Sequence, residues 1–534
     1  MNVCQQCKQG FEIREWDKEF YEKIAVPFPK NCPECRMIRR FMERNPKTLY
    51  YRKCDLTGKQ TLSQYHRNQS FPVYSPEAWW SDDWDALDRG RDFDFNKPFF
   101  EQFLELKNKT PHLALFNIVG TIENSDYNNC TGYLKNCYLI AESDYDEECY
   151  YSNLLKKCNF VVDCSVCYED ELCYECVDCT GCYNLLCSQD CQNCRDSYFL
   201  KNCTSCSDCI GCINQRQKQY MIFNKQHSKE EYEKLKAQFP LHATAGVEKL
   251  GEECSKFFLT QPRERVVAEQ NENSIGDHLF NSKNAYHCFD CTDIEDCAYC
   301  AKLSLSVKSS MDYNSWGDKS ELIYQSSGCG DNCYNLKFCT NCTTNMSNCE
   351  YCAGCFSCSD CFGCVGLKKQ QYCILNKKYS KDEYHELKGK IIKYMQQTGE
   401  YGEFFPVDIC PFGYNETMVM DAFPETVESA VSKGLKWYEE GQAGMKPQTS
   451  ELLTCDCGRN YKIISQESDF YKKLQIPVPE KCPSCRHKAR MTKRNPLKLW
   501  QRSCAKCGVG LESSYAPDRP EVVLCEKCYL KEVY

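Results

Sequence analysis

Cysteine recurs at every third residue over a long middle stretch of this 534-residue chain. Between Cys164 and Cys212, every cysteine except Cys187 falls on one register of period three, and the register extends back to Cys137. Helical faces recur at 3.6 residues and strand faces at 2, so the pattern fits neither a helix nor a flat strand. It predicts a β-solenoid, in which one side-chain position stacks on itself in successive coils.

Two stretches carry this pattern, residues 111–240 and residues 271–395. Their ends align closely, because CSDCIGCINQRQKQYMIFNKQHSKEEYEKLK in the first matches CSDCFGCVGLKKQQYCILNKKYSKDEYHELK in the second. In both, a serine (Ser228 or Ser380) is followed three residues later by glutamate, a capping box that predicts a short helix. We therefore expect a mainly β protein with two Cys-rich β-solenoid arrays, parallel β-helix-like, each closed by a short helix.

Asn or Asp often precedes an array cysteine, as at Asp163, Asn193 and Asn202. These residues tolerate a left-handed backbone and hydrogen-bond to their own turns, so we expect tight corners before the cysteines. Cysteine pairs recur about equally at separations of 9, 12 and 15 residues, so the pattern leaves the coil length open.

Both ends of the chain carry paired cysteines divided by a spacer. Such pairs supply four soft thiolates for a tetrahedral zinc ion. The C-terminal segment repeats the N-terminal one with a constant shift of 450 residues and continues into a second complete set. We predict three zinc ribbons that flank the arrays and hold about three structural Zn²⁺ ions. Their ligands are Cys4, Cys7, Cys32 and Cys35; Cys455, Cys457, Cys482 and Cys485; and Cys504, Cys507, Cys525 and Cys528.

A second N-terminal ribbon is incomplete. Only Cys54 matches the second C-terminal set, while Thr57, Ser75 and Ala78 occupy the positions where three further thiols would stand. A single thiolate cannot hold a structural zinc ion, so we expect no metal there.

These patterns predict a chain of seven successive parts. They are an N-terminal zinc ribbon (1–60), a degenerate second ribbon with an aromatic linker (61–110), the first array with its closing helix (111–240), a linker (241–270), the second array with its closing helix (271–395), a second linker (396–450) and tandem C-terminal zinc ribbons (451–534).

Composition limits the compartment and the state of the thiols. The chain has 47 cysteines, an odd number, so complete intramolecular disulfide pairing is impossible. No leader and no apolar run of membrane-spanning length are visible, so we expect a soluble, cytoplasmic protein without membrane contact. The array thiols have three interpretations: buried small side chains that form an internal ladder, ligands of a soft metal, or disulfides.

Function is open among three hypotheses. No cluster of acid, base and nucleophile stands out, so we expect a zinc-binding, non-enzymatic scaffold that contacts protein partners. The net charge of -9 argues against a globally basic nucleic-acid protein. The segments RMIRRFMERNPKTLYYRK and RHKARMTKRNPLKLWQR nevertheless join positive charge to aromatic residues, which favours a nucleic-acid-associated alternative. A thiol-based metal store or sensor is the second alternative.

Several motifs of the chain occur together in one group of proteins. CPxCR, RNPxxLYxRxCDxTGK, WWSDDWD and GRDFDF, followed by arrays rich in NC, DC and CY, resemble uncharacterised bacterial cysteine-rich proteins that contain zinc ribbons. The resemblance covers nearly the whole chain. It implies the architecture described above and implies no particular activity.

Overall fold

The structure is a computed structural model that describes residues 2–168, 177–180, 185–186, 188–438 and 452–533. It consists of two compact units, each of which combines two separate stretches of chain. The first unit contains Met1–Leu115 and Val266–Ala443, and the second contains Phe116–Arg265 and Gly444–Tyr534. Each unit therefore groups a Cys-rich terminal segment with coils from the middle of the chain.

The N-terminal segment alternates short hairpins with helices. Its elements are β1 (Asn2–Val3), β2 (Gly10–Phe11), α1 (Glu15–Lys23), α2 (Pro33–Phe41), β3 (Tyr50–Lys53), β4 (Gln60–Ser63), β5 (Val73–Tyr74), α3 (Pro76–Trp80), α4 (Phe99–Lys109) and β6 (His112–Leu113), with a 3₁₀ turn at Ala86–Arg89. The hairpins β1–β2 and β3–β4 are antiparallel, and β5 pairs with β6 in parallel.

The middle of the chain forms a β-solenoid of about 19 turns. We call the coils within residues 116–226 the front coils. Their strands are β7 (Ile122–Glu123), β8 (Asn129–Gly132), β9 (Leu134–Lys135), β10 (Ala141–Asp144), β11 (Asn153–Lys156), β12 (Ser165–Tyr168), β13 (Val177–Thr180), β14 (Leu185–Leu186), β15 (Ser197–Tyr198), β16 (Ser207–Ile210), β17 (Gln219–Ile222) and β18 (Lys225–Gln226). They are followed by α5 (Lys229–Lys236), α6 (Thr244–Leu259) and β19 (Pro262–Glu264).

We call the coils within residues 268–378 the rear coils. Their strands are β20 (Ala268–Glu269), β21 (Ile275–Phe280), β22 (Tyr286–Thr292), β23 (Ile294–Ala298), β24 (Ala301–Ser304), β25 (Val307–Met311), β26 (Asn314–Gly317), β27 (Ser359–Phe362), β28 (Gln371–Ile374) and β29 (Lys377–Lys378). They are followed by α7 (Lys381–Thr398), 3₁₀ turns at Val407–Ile409 and Tyr414–Glu416, α8 (Val419–Ala422) and α9 (Val427–Ser432).

The C-terminal segment repeats the element order of the N-terminal segment. It contains β30 (Leu453–Thr454), β31 (Asn460–Tyr461), α10 (Ser465–Leu474), α11 (Pro483–Met491), β32 (Trp500–Ser503), β33 (Gly510–Ser513), β34 (Val522–Leu524) and α12 (Glu526–Val533). Strand β34 pairs in parallel with β19, as β5 pairs with β6 in the first unit.

Successive coils pair in parallel with an offset of twelve residues over most of their length. Ala141 pairs with Asn153, and Asn153 pairs with Ser165. Part of the rear coils has one additional residue per turn, as where Ile294 pairs with Val307. The structure thus gives the coil length that the cysteine spacing left open.

Within a coil, every third residue has a left-handed backbone. In the front coils φ is 54° at Asn136, 54° at Leu139, 54° at Glu142 and 64° at Tyr145. Each side of a coil is therefore three residues long, and twelve residues make four sides. Asn and Asp adopt this conformation most readily among non-glycine residues, which explains their frequency before cysteine.

Over most of the coils, the residue after a left-handed position lies inside the coil and is buried. In one stretch these residues are Cys137, Ile140, Ser143, Asp146 and Cys149, each at most 2% exposed. The period of three in the sequence is therefore the period of inward side chains. The side chains of Cys167, Cys173, Cys176, Cys179, Cys182 and Cys187 lie outside the described residues.

Inward side chains bond to the backbone of the next coil. The N–H of Leu155 donates to Ser143 Oγ at 3.0 Å, and the N–H of Cys158 donates to Asp146 Oδ1 at 2.9 Å. A thiol does the same more weakly, since the N–H of Cys206 lies 3.5 Å from Cys194 Sγ. Inward positions therefore favour small side chains with an acceptor atom.

The inward thiols also approach backbone carbonyl groups. Cys149 Sγ donates to Glu147 O at 3.3 Å and to Cys158 O at 3.5 Å. In the parts of the chain that the structure describes, no disulfide joins any of the cysteines. This arrangement agrees with the interpretation of the array thiols as a buried ladder.

Helix α5 follows the last strand of the front coils, and helix α7 follows the last strand of the rear coils. Ser228 and Ser380 cap them, and each forms the predicted capping box with glutamate three residues later. Helix α7 is longer than expected because its buried positions Tyr384, Ile391 and Met395 continue one apolar face. It ends at Gly399, whose φ of 77° terminates the helix.

Helix α6 lies in residues 241–270, which the sequence analysis interpreted as a linker. Its residues Leu250 and Cys254 are buried against Ile210 and Ile222 of the front coils. The apolar residues recur at helical spacing, but two glycines within α6 obscure the pattern in the sequence.

We expect Ser152→Ala to lower the free energy of unfolding of the front coils by about 1–3 kcal/mol. Ser152 is buried, and its Oγ accepts the N–H of Cys164 at 2.9 Å, so the variant leaves a buried donor without an acceptor. Ser152→Cys should lose less, because an inward thiol can accept this N–H. Native-state hydrogen exchange of front-coil amides measures the loss of free energy of unfolding in both variants. Equal losses in the two variants would contradict the role of the acceptor atom.

Candidate metal centres and their contact with the coils

In each complete ribbon, one cysteine pair lies in a hairpin turn and the other pair lies at the start of a helix. In the N-terminal ribbon, Cys4 and Cys7 lie in the turn between β1 and β2, and Cys32 is the N-cap of α2. Pro33 occupies the first position of α2, where its missing N–H has no helical partner to lose. The helix N-terminus also favours the negative charge of a nearby thiolate.

The structure brings together all the cysteines that the sequence predicted as metal ligands. Their sulfur atoms form three groups, and within each group all four sulfurs lie within 4.8 Å of one another. The groups are Cys4, Cys7, Cys32 and Cys35; Cys455, Cys457, Cys482 and Cys485; and Cys504, Cys507, Cys525 and Cys528. Within the described residues, groups of this kind lie in the terminal ribbons and not in the coils.

The sulfur separations fit a tetrahedral metal ion. The distances Cys7 Sγ to Cys32 Sγ, Cys457 Sγ to Cys482 Sγ and Cys507 Sγ to Cys525 Sγ are each 3.7 Å. Four sulfurs bonded to one ion at about 2.3 Å would lie about 3.8 Å apart. Each group can therefore hold a metal ion.

Backbone N–H groups surround the first cysteine of each group. The N–H groups of Cys482 and Cys457 lower the pKa of Cys455 to about 6. Burial opposes ionisation of Cys504, but the N–H groups of Cys507 and Cys525 lower its pKa to about 6. These contacts stabilise the thiolate, which is the form that binds metal.

The incomplete second N-terminal ribbon keeps the ribbon fold without four thiols. Cys54 Sγ accepts the N–H of Ser75 at 3.3 Å, as Cys504 Sγ accepts the N–H of Cys525 at 3.3 Å. Ser75 caps helix α3, because its Oγ accepts the N–H of Ala78. Helix capping and the burial of aromatic residues such as Trp79, which is 1% exposed, thus take the place of a metal.

Helix α2 joins the N-terminal ribbon to the rear coils through two buried arginines. Arg36 Nε donates to Asp312 Oδ2 at 2.7 Å, and Arg40 Nη1 donates to Asp312 Oδ1 at 3.0 Å. Arg40 Nη2 also donates to Tyr299 O at 3.3 Å. Asp312 is 0% exposed and occupies a left-handed corner of its coil. We call this set of one aspartate and two arginines a clamp.

Helix α11 forms the same clamp on the front coils. Arg486 Nη1 lies 2.6 Å from Asp163 Oδ2, and Arg490 Nη1 donates to Asp163 Oδ1 at 2.9 Å. Arg490 Nη2 donates to Tyr151 O at 3.3 Å. Asp163 is 0% exposed, and it also occupies a left-handed corner. Both copies of the duplicated ribbon therefore contact their coils in the same way.

The second C-terminal ribbon contacts the front coils through its last helix. Tyr529 of α12 is buried, and its hydroxyl accepts from Asn202 Nδ2 at 2.7 Å and donates to Asn214 Oδ1 at 3.0 Å. The two asparagines are themselves bonded across successive coils. The Tyr529 hydroxyl is thus held by two asparagines of successive coils that are bonded to each other.

The clamps were not predicted from the sequence, where Arg36 and Arg40, and their counterparts Arg486 and Arg490, belong to basic segments assigned to phosphate contact. The spacing of four residues places each pair on one helix face, but it does not indicate the distant aspartate that the pair contacts. Other arginines of these segments also bond to the protein, since Arg39 donates to Phe404 O at 2.8 Å.

No protein-family model, curated protein or solved structure matches this chain. Among the helices that the structure describes, none has the length and apolar character needed to cross a bilayer.

We expect Asp163→Asn to destabilise the contact between α11 and the front coils by about 3–5 kcal/mol. The variant removes the buried negative charge that two buried arginines share. Lys488→Met is the matched control, because Lys488 lies on the same helix and is exposed. Hydrogen exchange of α11 amides measures the effect, and equal protection in both variants would contradict the clamp.

Proposed function

We propose that this protein is a zinc-binding, non-enzymatic scaffold in which metal-bound ribbons fasten onto solenoid coils and the coils present a surface to protein partners. The observation that carries the proposal is the repeated clamp. In both units, the helix that contributes two cysteines to a metal group also contributes two arginines to a buried aspartate on the coils. We infer that the role of the metal-bound ribbons is to hold their helices against the coils.

The choice of zinc rests on the chemistry of the ligands. Four thiolates in a tetrahedral arrangement are typical of structural zinc sites, which keep no open coordination position for a substrate. We propose one Zn²⁺ ion in each of the three groups. The resemblance to bacterial cysteine-rich proteins with zinc ribbons supports the same choice. A reducing, cytoplasmic location is part of the proposal, and it is supported by the array cysteines of the described residues, which form no disulfide.

We further propose that the front and rear coils are two arrays that arose by duplication, with α5 and α7 as their closing helices. Support comes from the two capping boxes and from the two clamps, whose aspartates lie in equivalent coil corners. Helix α5 contacts β17 and helix α7 contacts β28, so each lies beside the last parallel strand of its coils. A helix in that position blocks pairing of further strands.

The clamps favour the scaffold over the nucleic-acid alternative. Arg36, Arg40, Arg486 and Arg490 are each at most 4% exposed, so they cannot reach a phosphate group. Lys488 and Lys493 remain exposed on the C-terminal copy and could contact a polyanion. The nucleic-acid alternative therefore depends on these lysines and not on the four buried arginines.

Protein purified without added metal should contain about three zinc ions per chain, as measured by elemental analysis. Cys485→Ser should lower the content by one ion and abolish hydrogen-exchange protection in α11, because metal binding and ribbon folding are coupled.

Cys54→Ser is the matched control, since it removes a buried ribbon thiol that has no cysteine partners for a metal. It should leave the zinc content unchanged. A content well above three ions, unaffected by Cys485→Ser, would contradict the proposal and favour the thiol-based metal store.

A fluorescent RNA or DNA oligonucleotide should show no saturable binding near physiological salt. The nucleic-acid alternative instead predicts saturable binding with a log-log salt slope of about -0.7 for each contact on a single strand. In that case Lys488→Glu with Lys493→Glu should weaken binding, whereas Lys472→Glu on α10 should not. Charge reversal at Arg490 would not be informative, because it would break the clamp.

A further inference from the structure

A groove in the first unit is lined by the start of helix α1 and by the first two rear coils. Its cavity has a volume of about 610 Å³, which is in the range of small-molecule sites. The ribbon contributes Arg14 and Trp16 to the lining, and the coils contribute Asn273, Asn284 and Tyr286. None of the ribbon cysteines lines the described groove, so this feature is separate from the metal groups.

Two of the lining asparagines form a ladder across these coils. Asn273 and Asn284 occupy left-handed corners, with φ of 47° and 50°, two residues before β21 and β22. Asn273 Nδ2 donates to Asn284 Oδ1 at 3.0 Å, and Asn284 Nδ2 donates to Asp296 Oδ1 at 2.8 Å. Because an ionised carboxylate only accepts, Asp296 fixes the direction of both amides. The exposed Asn273 therefore presents its Oδ1 as an acceptor at the first rung of the ladder.

An asparagine ladder of the front coils shows what such a ladder can bind. Asn202 Nδ2 donates to Asn214 Oδ1 at 3.0 Å, the same distance as in the groove. The hydroxyl of Tyr529 accepts from Asn202 Nδ2 at 2.7 Å and donates to Asn214 Oδ1 at 3.0 Å, so it bridges the two amides. Among the described residues, no hydroxyl bridges Asn273 and Asn284 in this way. The groove ladder can therefore take a hydroxyl from a ligand.

The ribbon contributes hydrogen-bond donors to the groove. The guanidinium of Arg14 lies over the ring of Tyr286, 3.3 Å from the ring centroid, and its Nε and Nη2 bond to Asp17. These contacts hold the guanidinium in place, while its Nη1 donates to none of the described residues. The indole N–H of Trp16, a half-buried residue, also has no acceptor among the described residues. Both groups can therefore donate to a ligand.

The charges at the groove favour an uncharged ligand. Arg14 is the charged residue among those that line it, and Asp17 neutralises its guanidinium through two hydrogen bonds. Of the acidic residues near the ladder, Glu272 is paired with Lys283 at 3.2 Å, and Asp296 accepts the last bond of the ladder. The groove thus offers donors and acceptors beside aromatic rings, and its lining leaves no unmatched charge for an ionic ligand.

We propose that this groove binds a neutral oligosaccharide. A sugar hydroxyl both donates and accepts, so it can bridge Asn273 and Asn284 as the Tyr529 hydroxyl bridges the other ladder. A tyrosine of a bound protein has one hydroxyl, whereas several sugar hydroxyls can meet the ladder, Arg14 and Trp16 together. The C–H faces of sugar rings pack on aromatic side chains. This inference goes beyond the scaffold function, because it assigns a small ligand to the groove.

Isothermal titration calorimetry of the full chain tests the proposal. The neutral probes are maltotriose, cellotriose and triacetylchitotriose, and the acidic probe is trigalacturonic acid. We expect saturable binding of at least one neutral probe and no binding of trigalacturonic acid. The indole N–H resonance of Trp16, assigned by its loss in Trp16→Phe, should shift when the unsubstituted protein is titrated with the bound probe.

Two variants locate the binding site. Asn273→Gly removes the first amide of the ladder, and glycine readily adopts the φ of 47° at this corner. Trp16→Phe keeps an aromatic ring and removes the indole N–H. Each variant should weaken binding about tenfold through lost hydrogen bonds. Asn124→Gly is the matched control and should leave the affinity unchanged, because Asn124 begins a similar ladder in the second unit, where Ile464 and Gln466 replace the arginine and the tryptophan.

Absence of saturable binding up to millimolar concentrations of the neutral probes would overturn the inference. Tighter binding of trigalacturonic acid, a Trp16 resonance that does not shift, or an equal loss of affinity in Asn124→Gly would overturn it as well. None of these outcomes concerns the zinc content of the ribbons, so each would leave the proposed function standing.

Discussion

The left-handed residue at every third position is the constraint on which the coils depend. It turns the chain after each three-residue side, and it sends the next side chain into a narrow interior. That interior holds mostly small or slender side chains, and the backbone N–H beside many of them takes an acceptor from the previous coil. Serine, asparagine and aspartate satisfy this need strongly, and cysteine satisfies it weakly while it also fills apolar space. The cysteine content of the coils is therefore a consequence of coil geometry.

A metal ion in the ribbons would have a different purpose. Each ribbon is a hairpin and one or two short helices with a small core, and an ion held by its four cysteines would add cohesion. The clamp uses a helix that begins at such a cysteine group to neutralise an aspartate that the coil geometry buries. In the second unit the two arginines face two buried carboxylates, because Arg486 Nη1 also lies 3.1 Å from Glu467 Oε1. The carbonyl groups of Tyr299 and Tyr151 accept further hydrogen bonds from Arg40 and Arg490.

Local spacing made much of the architecture predictable. The period of three, the cysteine pairs and the capping boxes at Ser228 and Ser380 are all patterns over a few residues, and the structure contains each of them. The coil length was not predictable, because sides of three residues are compatible with coils of 9, 12 or 15 residues. Nothing in the cysteine spacing shows that four sides make one coil. The clamps were not predictable either, since Arg36 and Asp312 are 276 residues apart and nothing local links them.

The incomplete ribbon shows that a ribbon can contact the coils without a four-thiol group. Its sequence has lost three of four thiols, yet its hairpin and helix remain, with Ser75 as the helix cap and Trp79 buried. Trp79 packs against Phe356 of the rear coils with their ring centroids 5.3 Å apart. A ribbon without four thiols can thus be held by aromatic packing against the coils. The complete ribbons also pack aromatic residues on the coils, as Tyr21 of α1 does against Tyr324 with ring centroids 5.2 Å apart, so the contact with the coils and the four-thiol group are independent features of a ribbon.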